Sequence, residues 1–189
     1  MSDRVEASIF SRASAALPRS ILVLGGARSG KSRYGETLVE AAAARGLYLA
    51  TAEVRDTEMA ERIRHHRARR GERWTTIEEP LALTDRLVSE ARPDRPILVD
   101  CLTLWLANLM EAGRAAEDES ETLVASLAGL RGPVVFIANE VGLGIVPENA
   151  LARSFRDHAG RLNQVIASKA DRVLFIAAGL PLILKDETA

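Results

Sequence analysis

Five short stretches of the chain are apolar at almost every position: Ile21–Leu24, Leu47–Ala50, Ile97–Val99 running into Asp100, Val134–Ala138 and Val173–Ala177. Unbroken apolarity without alternation is what a strand requires when both of its faces are covered. Between these runs lie longer mixed stretches that read as helices: Lys31–Arg45, Thr57–Arg70, Leu81–Ala91, Leu104–Glu111, Glu119–Leu130 and Glu148–Ala170. Strands that alternate with helices imply right-handed crossovers and a mostly parallel sheet, so the fold class is α/β, a sheet flanked by helices, with ligands at the carboxyl ends of the strands. Gly46 is placed as the left-handed cap that ends the first helix, and Arg92-Pro93 as the close of the third. Gly113–Ser120, with Glu117, Asp118 and Glu119, reads as a solvated connection. Residues 1–19, rich in Ser, Ala and Arg, read as a flexible N-terminal extension, which leaves 20–189 as one domain.

A chain of 189 residues buries about 70% of its unfolded surface, enough for a core without staples. Apolar residues at 47% and charged residues at 27% give no sign of wholesale disorder. A formal net charge of −1 supplies no global field for nucleic acid or an acidic membrane surface, so any basic site is local. The lone Cys101 has no partner for an internal disulfide, and no His/Cys spacing matches a structural zinc site. No segment reaches the ~20 apolar residues of a membrane span. A soluble protein of the reducing cytoplasm is expected.

The chemistry begins at Gly25-Gly26-Ala27-Arg28-Ser29-Gly30-Lys31-Ser32, which matches G-x-x-x-x-G-K-[ST] between an apolar run and a helical one. Glycines let the backbone wrap phosphate oxygens, consecutive N–H groups and a helix N-terminus supply positive potential, Lys31 reaches the β/γ-phosphates, and Ser32 holds Mg²⁺. Asp100, at the end of its strand, has the placement of a second metal-side carboxylate. A helix-capping aspartate is the alternative. A phosphate loop alone does not distinguish a kinase from a motor, a switch or a transferase.

Three further segments narrow the choice: Tyr48-Leu49-Ala50-Thr51-Ala52-Glu53, the stretch Glu58–Arg70, and Asn139-Glu140-Val141-Gly142-Leu143-Gly144-Ile145-Val146-Pro147-Glu148-Asn149. With Phe155-Arg156-Asp157, Gly160-Arg161 and Asn163-Gln164, they resemble the bifunctional adenosylcobinamide kinase / adenosylcobinamide-phosphate guanylyltransferase family of cobalamin biosynthesis, from about Ile21 to Ala178. The resemblance implies a RecA-like P-loop fold, GTP and ATP as nucleotides, adenosylcobinamide and its phosphate as acceptors, and a homotrimer. It places the nucleophilic histidine at His66 within Arg62-Ile63-Arg64-His65-His66. It implies nucleotide contacts from Thr51, Ala52 and Glu53, from the basic stretch Arg67, Ala68, Arg69 and Arg70, from Glu78, and from Asp100.

Elementary chemistry agrees with that placement. A neutral imidazole attacks phosphorus and leaves as a good group, splitting one difficult transfer into two easier ones. On a helix, Arg62 and Arg70 stand four residues either side of His66, where cations favour the neutral ring and neutralise charge on a transferring phosphate. A solvated basic helix face is the bland alternative for the same run. Asn139–Gly144 follows a buried strand and is expected at the sheet edge that carries the phosphate loop, either as ligand-binding backbone or as a simple turn. Trp74 and Trp105 read as packing residues. Rival functions are a small-molecule kinase without guanylyl transfer and a non-catalytic nucleotide switch.

Overall fold

The computed structural model describes residues 17–53 and 71–187. Its centre is a seven-stranded sheet in the order β3-β2-β4-β5-β1-β6-β7. The strands are β1 (Ser20–Gly25), β2 (Gly46–Ala50), β3 (Trp74–Glu78), β4 (Ile97–Asp100), β5 (Val134–Asn139), β6 (Arg172–Ala177) and β7 (Leu180–Asp186). All neighbours pair in parallel except β6 and β7, which form an antiparallel hairpin. The described helices are α1 (Lys31–Ala42), α2 (Leu83–Glu90), α3 (Leu102–Glu111), α4 (Ala116–Ser126) and α5 (Ala150–Lys169).

The unbroken apolarity of the inner strands is used on both sides. Leu22, Leu24, Leu47, Leu49, Val99 and Phe136 point to one core, where they meet Leu83 and Leu87 of α2, Trp105 and Leu109 of α3, Leu123 of α4 and Leu162 and Ile166 of α5. The alternate residues Ile21, Val23, Tyr48, Leu98, Val135 and Ile137 form a second core with Val39 of α1. Both tryptophans pack as expected. Trp105 is fully buried and its Nε1 donates to the carbonyl of Leu81 at 2.9 Å. Trp74 meets the Tyr48 ring edge-on at 6.0 Å and donates to Glu40 Oε1 at 2.9 Å.

Several sequence expectations need correction. Gly46 is not a helix cap: α1 ends at Ala42 with Ala43 as an extended cap, and Gly46 opens β2, where a Cβ would lie 2.8 Å from the Trp74 ring. The acidic stretch read as a connection is the first turn of α4, which begins at Ala116; Glu117, Asp118 and Glu119 sit where carboxylates favour a helix N-terminus. The chain also joins the domain earlier than position 20. Leu17 packs on the α1-side core, and Arg19 donates to the carbonyls of Ala128 and Leu130 at 3.1 Å each. Residues 1–16, the remainder of the expected extension, lie outside the described residues.

Candidate functional site at the carboxyl edge of the sheet

Strand register gathers the chemistry along one edge. Gly25 of β1 pairs with Asn139 of β5, and Ala50 of β2 pairs with both Asp100 of β4 and Glu78 of β3. Thr51, Ala52 and Glu53, together with Glu140, therefore leave the sheet on the side where β1 enters the phosphate loop. One backbone bond ties two of these exits together, from Glu140 N–H to the carbonyl of Gly25 at 3.1 Å.

The loop from Gly25 to Lys31 closes tightly. A Cβ on Gly25 would lie 2.5 Å from Ser29 Oγ and 2.6 Å from the Ile176 carbonyl, so only glycine fits. Gly30 caps α1 with φ 95°, and Arg28 also takes a left-handed conformation with φ 57°. A non-glycine residue held there costs about 1–3 kcal/mol, a strain that collects at ligand clamps. The N-terminus of α1 has no side-chain cap and no acidic residue in its first turn, so nothing there opposes an anion. Lys31 is largely buried and its Nζ folds back onto the Gly26 carbonyl at 3.2 Å. Ser29 Oγ is buried without a hydrogen-bond partner. Behind the loop, Gly179 N–H donates to the Ser29 carbonyl at 2.8 Å and fixes the loop against the β6-β7 turn.

Asp100 does not cap α3. The capping position is Cys101, and no side chain accepts from the helix there. Instead the Tyr48 hydroxyl donates to Asp100 Oδ2 at 2.6 Å, which fixes the carboxylate at the strand end. Next to it, Thr51 Oγ1 donates to the Cys101 carbonyl at 2.8 Å and accepts from the Cys101 N–H at 2.9 Å. Asn108 Nδ2 donates to the carbonyls of Thr51 at 2.8 Å and Pro80 at 3.1 Å. Thr51 is fully buried, and its side chain clamps β2 to β4 beside the site. The family resemblance assigns this threonine to the nucleotide; the clamp it also makes depends on a partner 50 residues away, which no local pattern reveals.

Burial, and then the charge of Asp100, push the Cys101 thiol up to about 11, and a protonated thiol attacks poorly. Ala52 is half-buried, Glu53 and Glu78 are exposed at the edge, and Ser32 is half-buried in the first turn of α1. His66, with Arg67, Ala68, Arg69 and Arg70, lies outside the described residues. The test of a metal rests on the oxygens present: Ser32 and Asp100 offer hard donors of the kind Mg²⁺ takes, few enough that phosphate and water would complete the shell.

This arrangement defines a P-loop nucleotide-binding protein. A family profile described as cobinamide kinase / cobinamide phosphate guanyltransferase matches residues 21–184, and the chain belongs to that family. The match includes most of β7, beyond the Ala178 limit of the sequence resemblance. A bifunctional adenosylcobalamin biosynthesis protein of Pseudomonas aeruginosa is 49% identical over 168 residues, covering 88% of this chain and 97% of that one. The protein of the same description from Salmonella typhimurium is 42% identical over 180 residues, covering 87% and 99%. Among solved structures, the flagellar accessory protein FlaH of Methanocaldococcus jannaschii aligns over 95% of this chain and 84% of its own with a TM-score of 0.53 at 15% identity. A Pyrococcus horikoshii protein aligns over 95% and 91% with a TM-score of 0.52 at 11% identity. Those two likenesses concern the fold alone.

Proposed function

We propose that the chain performs both reactions of its family in sequence: it phosphorylates the hydroxyl of adenosylcobinamide with ATP or GTP, then transfers GMP from GTP onto the resulting phosphate, giving adenosylcobinamide-GDP and pyrophosphate. The observation that carries this reading is the family match across the phosphate loop and the whole carboxyl edge. In both steps the loop backbone and Lys31 hold the triphosphate and take up charge as the transition state forms. The buried, unpartnered Ser29 Oγ supports a loop whose polar groups are completed by ligand. Ser32 and Asp100 would hold Mg²⁺, which when bound neutralises phosphate charge.

For guanylyl transfer we assign the nucleophile to His66. Its neutral imidazole nitrogen forms a P–N bond to the α-phosphorus as the bond to pyrophosphate breaks. A phosphate oxygen of the acceptor then attacks the same phosphorus, the P–N bond breaks, and a new P–O–P linkage forms. Arg67, Arg69 and Arg70 supply cations for the phosphates during these exchanges. Thr51, Ala52, Glu53 and Glu78 stand at the edge where the ribose or base would lie, Thr51 being held there by its clamp on Cys101. Assembly as a homotrimer follows the family resemblance. The outward apolar side chains of β7, Leu180, Leu182, Ile183 and Leu184, support burial between copies.

The test is a two-label experiment. Purified protein given adenosylcobinamide, Mg²⁺ and γ-labelled ATP yields labelled adenosylcobinamide phosphate; subsequent α-labelled GTP yields a product carrying GMP. Phosphorylation without any GMP transfer would leave the narrower kinase reading, and nucleotide binding with neither transfer would leave a switch. Asp100→Asn provides a finer check. The Mg²⁺ concentration for half-maximal activity is expected to rise roughly tenfold, as loss of one charged oxygen weakens metal binding more than phosphate binding. An unchanged Mg²⁺ titration would remove Asp100 from the metal site.

A further inference from the structure

We propose that the loop from Val141 to Pro147, with Leu151 in the first turn of α5, is the platform on which the corrinoid ring of the acceptor rests while its hydroxyl meets the phosphate loop. This assignment rests on the functional reading above and adds the surface that recognises the large substrate. A hydroxyl that receives a phosphoryl group must come within about 3–3.5 Å of phosphorus. The ring behind that hydroxyl is far wider than the phosphate loop, so it must lie across a neighbouring exit of the sheet.

The β5 exit is the neighbour best fitted to it. It starts beside the loop, through the Asn139–Gly25 pairing and the Glu140 N–H bond to the Gly25 carbonyl. It then presents Leu143 at 83% exposure, Ile145 at 97%, Val146 at 58% and Leu151 at 68%. Isolated exposed apolar side chains are ordinary, whereas four within so short a stretch form a patch of the sort that binds something. The loop is also held in this display. Gly142 N–H donates to Glu140 Oε1 at 2.5 Å, Arg153 donates to the carbonyls of Pro147 at 3.0 Å and Glu148 at 2.5 Å, and Asn149 Oδ1 accepts from the N–H groups of Leu151 at 2.8 Å and Ala152 at 3.2 Å.

Among the other described exits, Cys101 after β4 is buried and β3 leaves through Glu78 and Glu79. The exposed apolar side chains that follow the β6 exit, Leu180, Leu182, Ile183 and Leu184, are carried on β7, which runs back along the sheet away from this edge. A corrinoid has broad apolar faces with an amide rim, so an anchored aliphatic patch takes the face while the rim stays in water. Such contacts set affinity for the acceptor without changing the grip on nucleotide.

The double variant L143S/I145S tests the assignment, and both positions are exposed enough for the fold to tolerate serine. With ATP saturating, the KM for adenosylcobinamide and its Kd by equilibrium dialysis are expected to rise tenfold or more, since two aliphatic side chains are withdrawn from a buried contact. The Kd for GTP and the sedimentation mass should match wild type. Val88→Ser, which removes an exposed apolar side chain of α2, should leave the corrinoid KM and Kd unchanged. If wild type phosphorylates the corrinoid and the double variant binds it equally well, the platform assignment is wrong while the functional reading stands. A weaker corrinoid KM that appears only with a fall in mass assigns the patch to a second copy and overturns the proposal. Failure of wild type to phosphorylate the corrinoid at all overturns the functional reading and the platform together.

Discussion

Lys31→Ala is expected to lower kcat/KM for phosphorylation and for guanylyl transfer alike, each by on the order of 10²–10³-fold, the loss usual when one preorganised donor to a transferring group is removed. The reason is structural economy. The described edge has one loop of the phosphate-binding pattern, with Gly30 at φ 95° and Lys31 Nζ folded against the Gly26 carbonyl, and both reactions take a nucleoside triphosphate. When nucleotide binds, the ammonium turns from that carbonyl to phosphate oxygens, so its loss removes charge from the triphosphate. Parallel rate measurements of the two transfers, with thermal unfolding to confirm that the variant is folded, decide the matter. A variant keeping either rate within a few-fold of wild type would show that this reaction grips its triphosphate elsewhere.

The parts of the molecule that could be read from sequence are those whose causes are local. Strands β1, β2, β4, β5 and β6 announced themselves because burial on both faces demands apolar side chains at successive positions, as Ile21 to Leu24 show. The phosphate loop was legible because its glycines answer to backbone geometry within eight residues. Strand β3 was not read: at the sheet edge only Trp74 of Trp74-Thr75-Thr76-Ile77-Glu78 is buried, and a half-exposed run with two threonines lacks the unbroken pattern. Strand β7 was missed for a related reason. It is an antiparallel edge strand carrying Pro181 and Lys185, a composition that edge strands tolerate and buried ones do not. Boundaries slipped wherever acids could mean either solvent or a helix N-terminus, as at Glu117 to Glu119.

Within the site, sequence placed Asp100 at a strand end and Asn139 at the edge of the phosphate loop, and the parallel register brings both there, with Glu78 beside them through a strand the sequence did not announce. What it could not supply was the support behind them. The Tyr48 hydroxyl on Asp100 Oδ2 spans 52 residues and the Thr51 bonds to Cys101 span 50. Such pairs exist only once β2 and β4 lie side by side in a fixed register, so neither residue shows its role until the sheet is formed.

His66→Ala is expected to separate the two activities, because moving a γ-phosphate to a hydroxyl needs no protein nucleophile whereas GMP transfer through a covalent intermediate cannot proceed without one. Incubated with α-labelled GTP, wild type should carry a covalent label that falls apart in acid and survives alkali, as a phosphoramidate does and a phosphoester at Ser29 or Ser32 does not. The His66→Ala protein should lose that label and the guanylylated product, a fall in transfer of at least about 10⁴-fold by analogy with other covalent nucleophiles. It should still phosphorylate adenosylcobinamide at a rate within roughly tenfold of wild type, since Lys31 and the loop are untouched. His65→Ala serves as the neighbour control and should keep the label. If the label persists in His66→Ala and vanishes in His65→Ala, the nucleophile is the adjacent histidine; if it persists in both, the covalent step runs through another residue and the histidine mechanism is wrong.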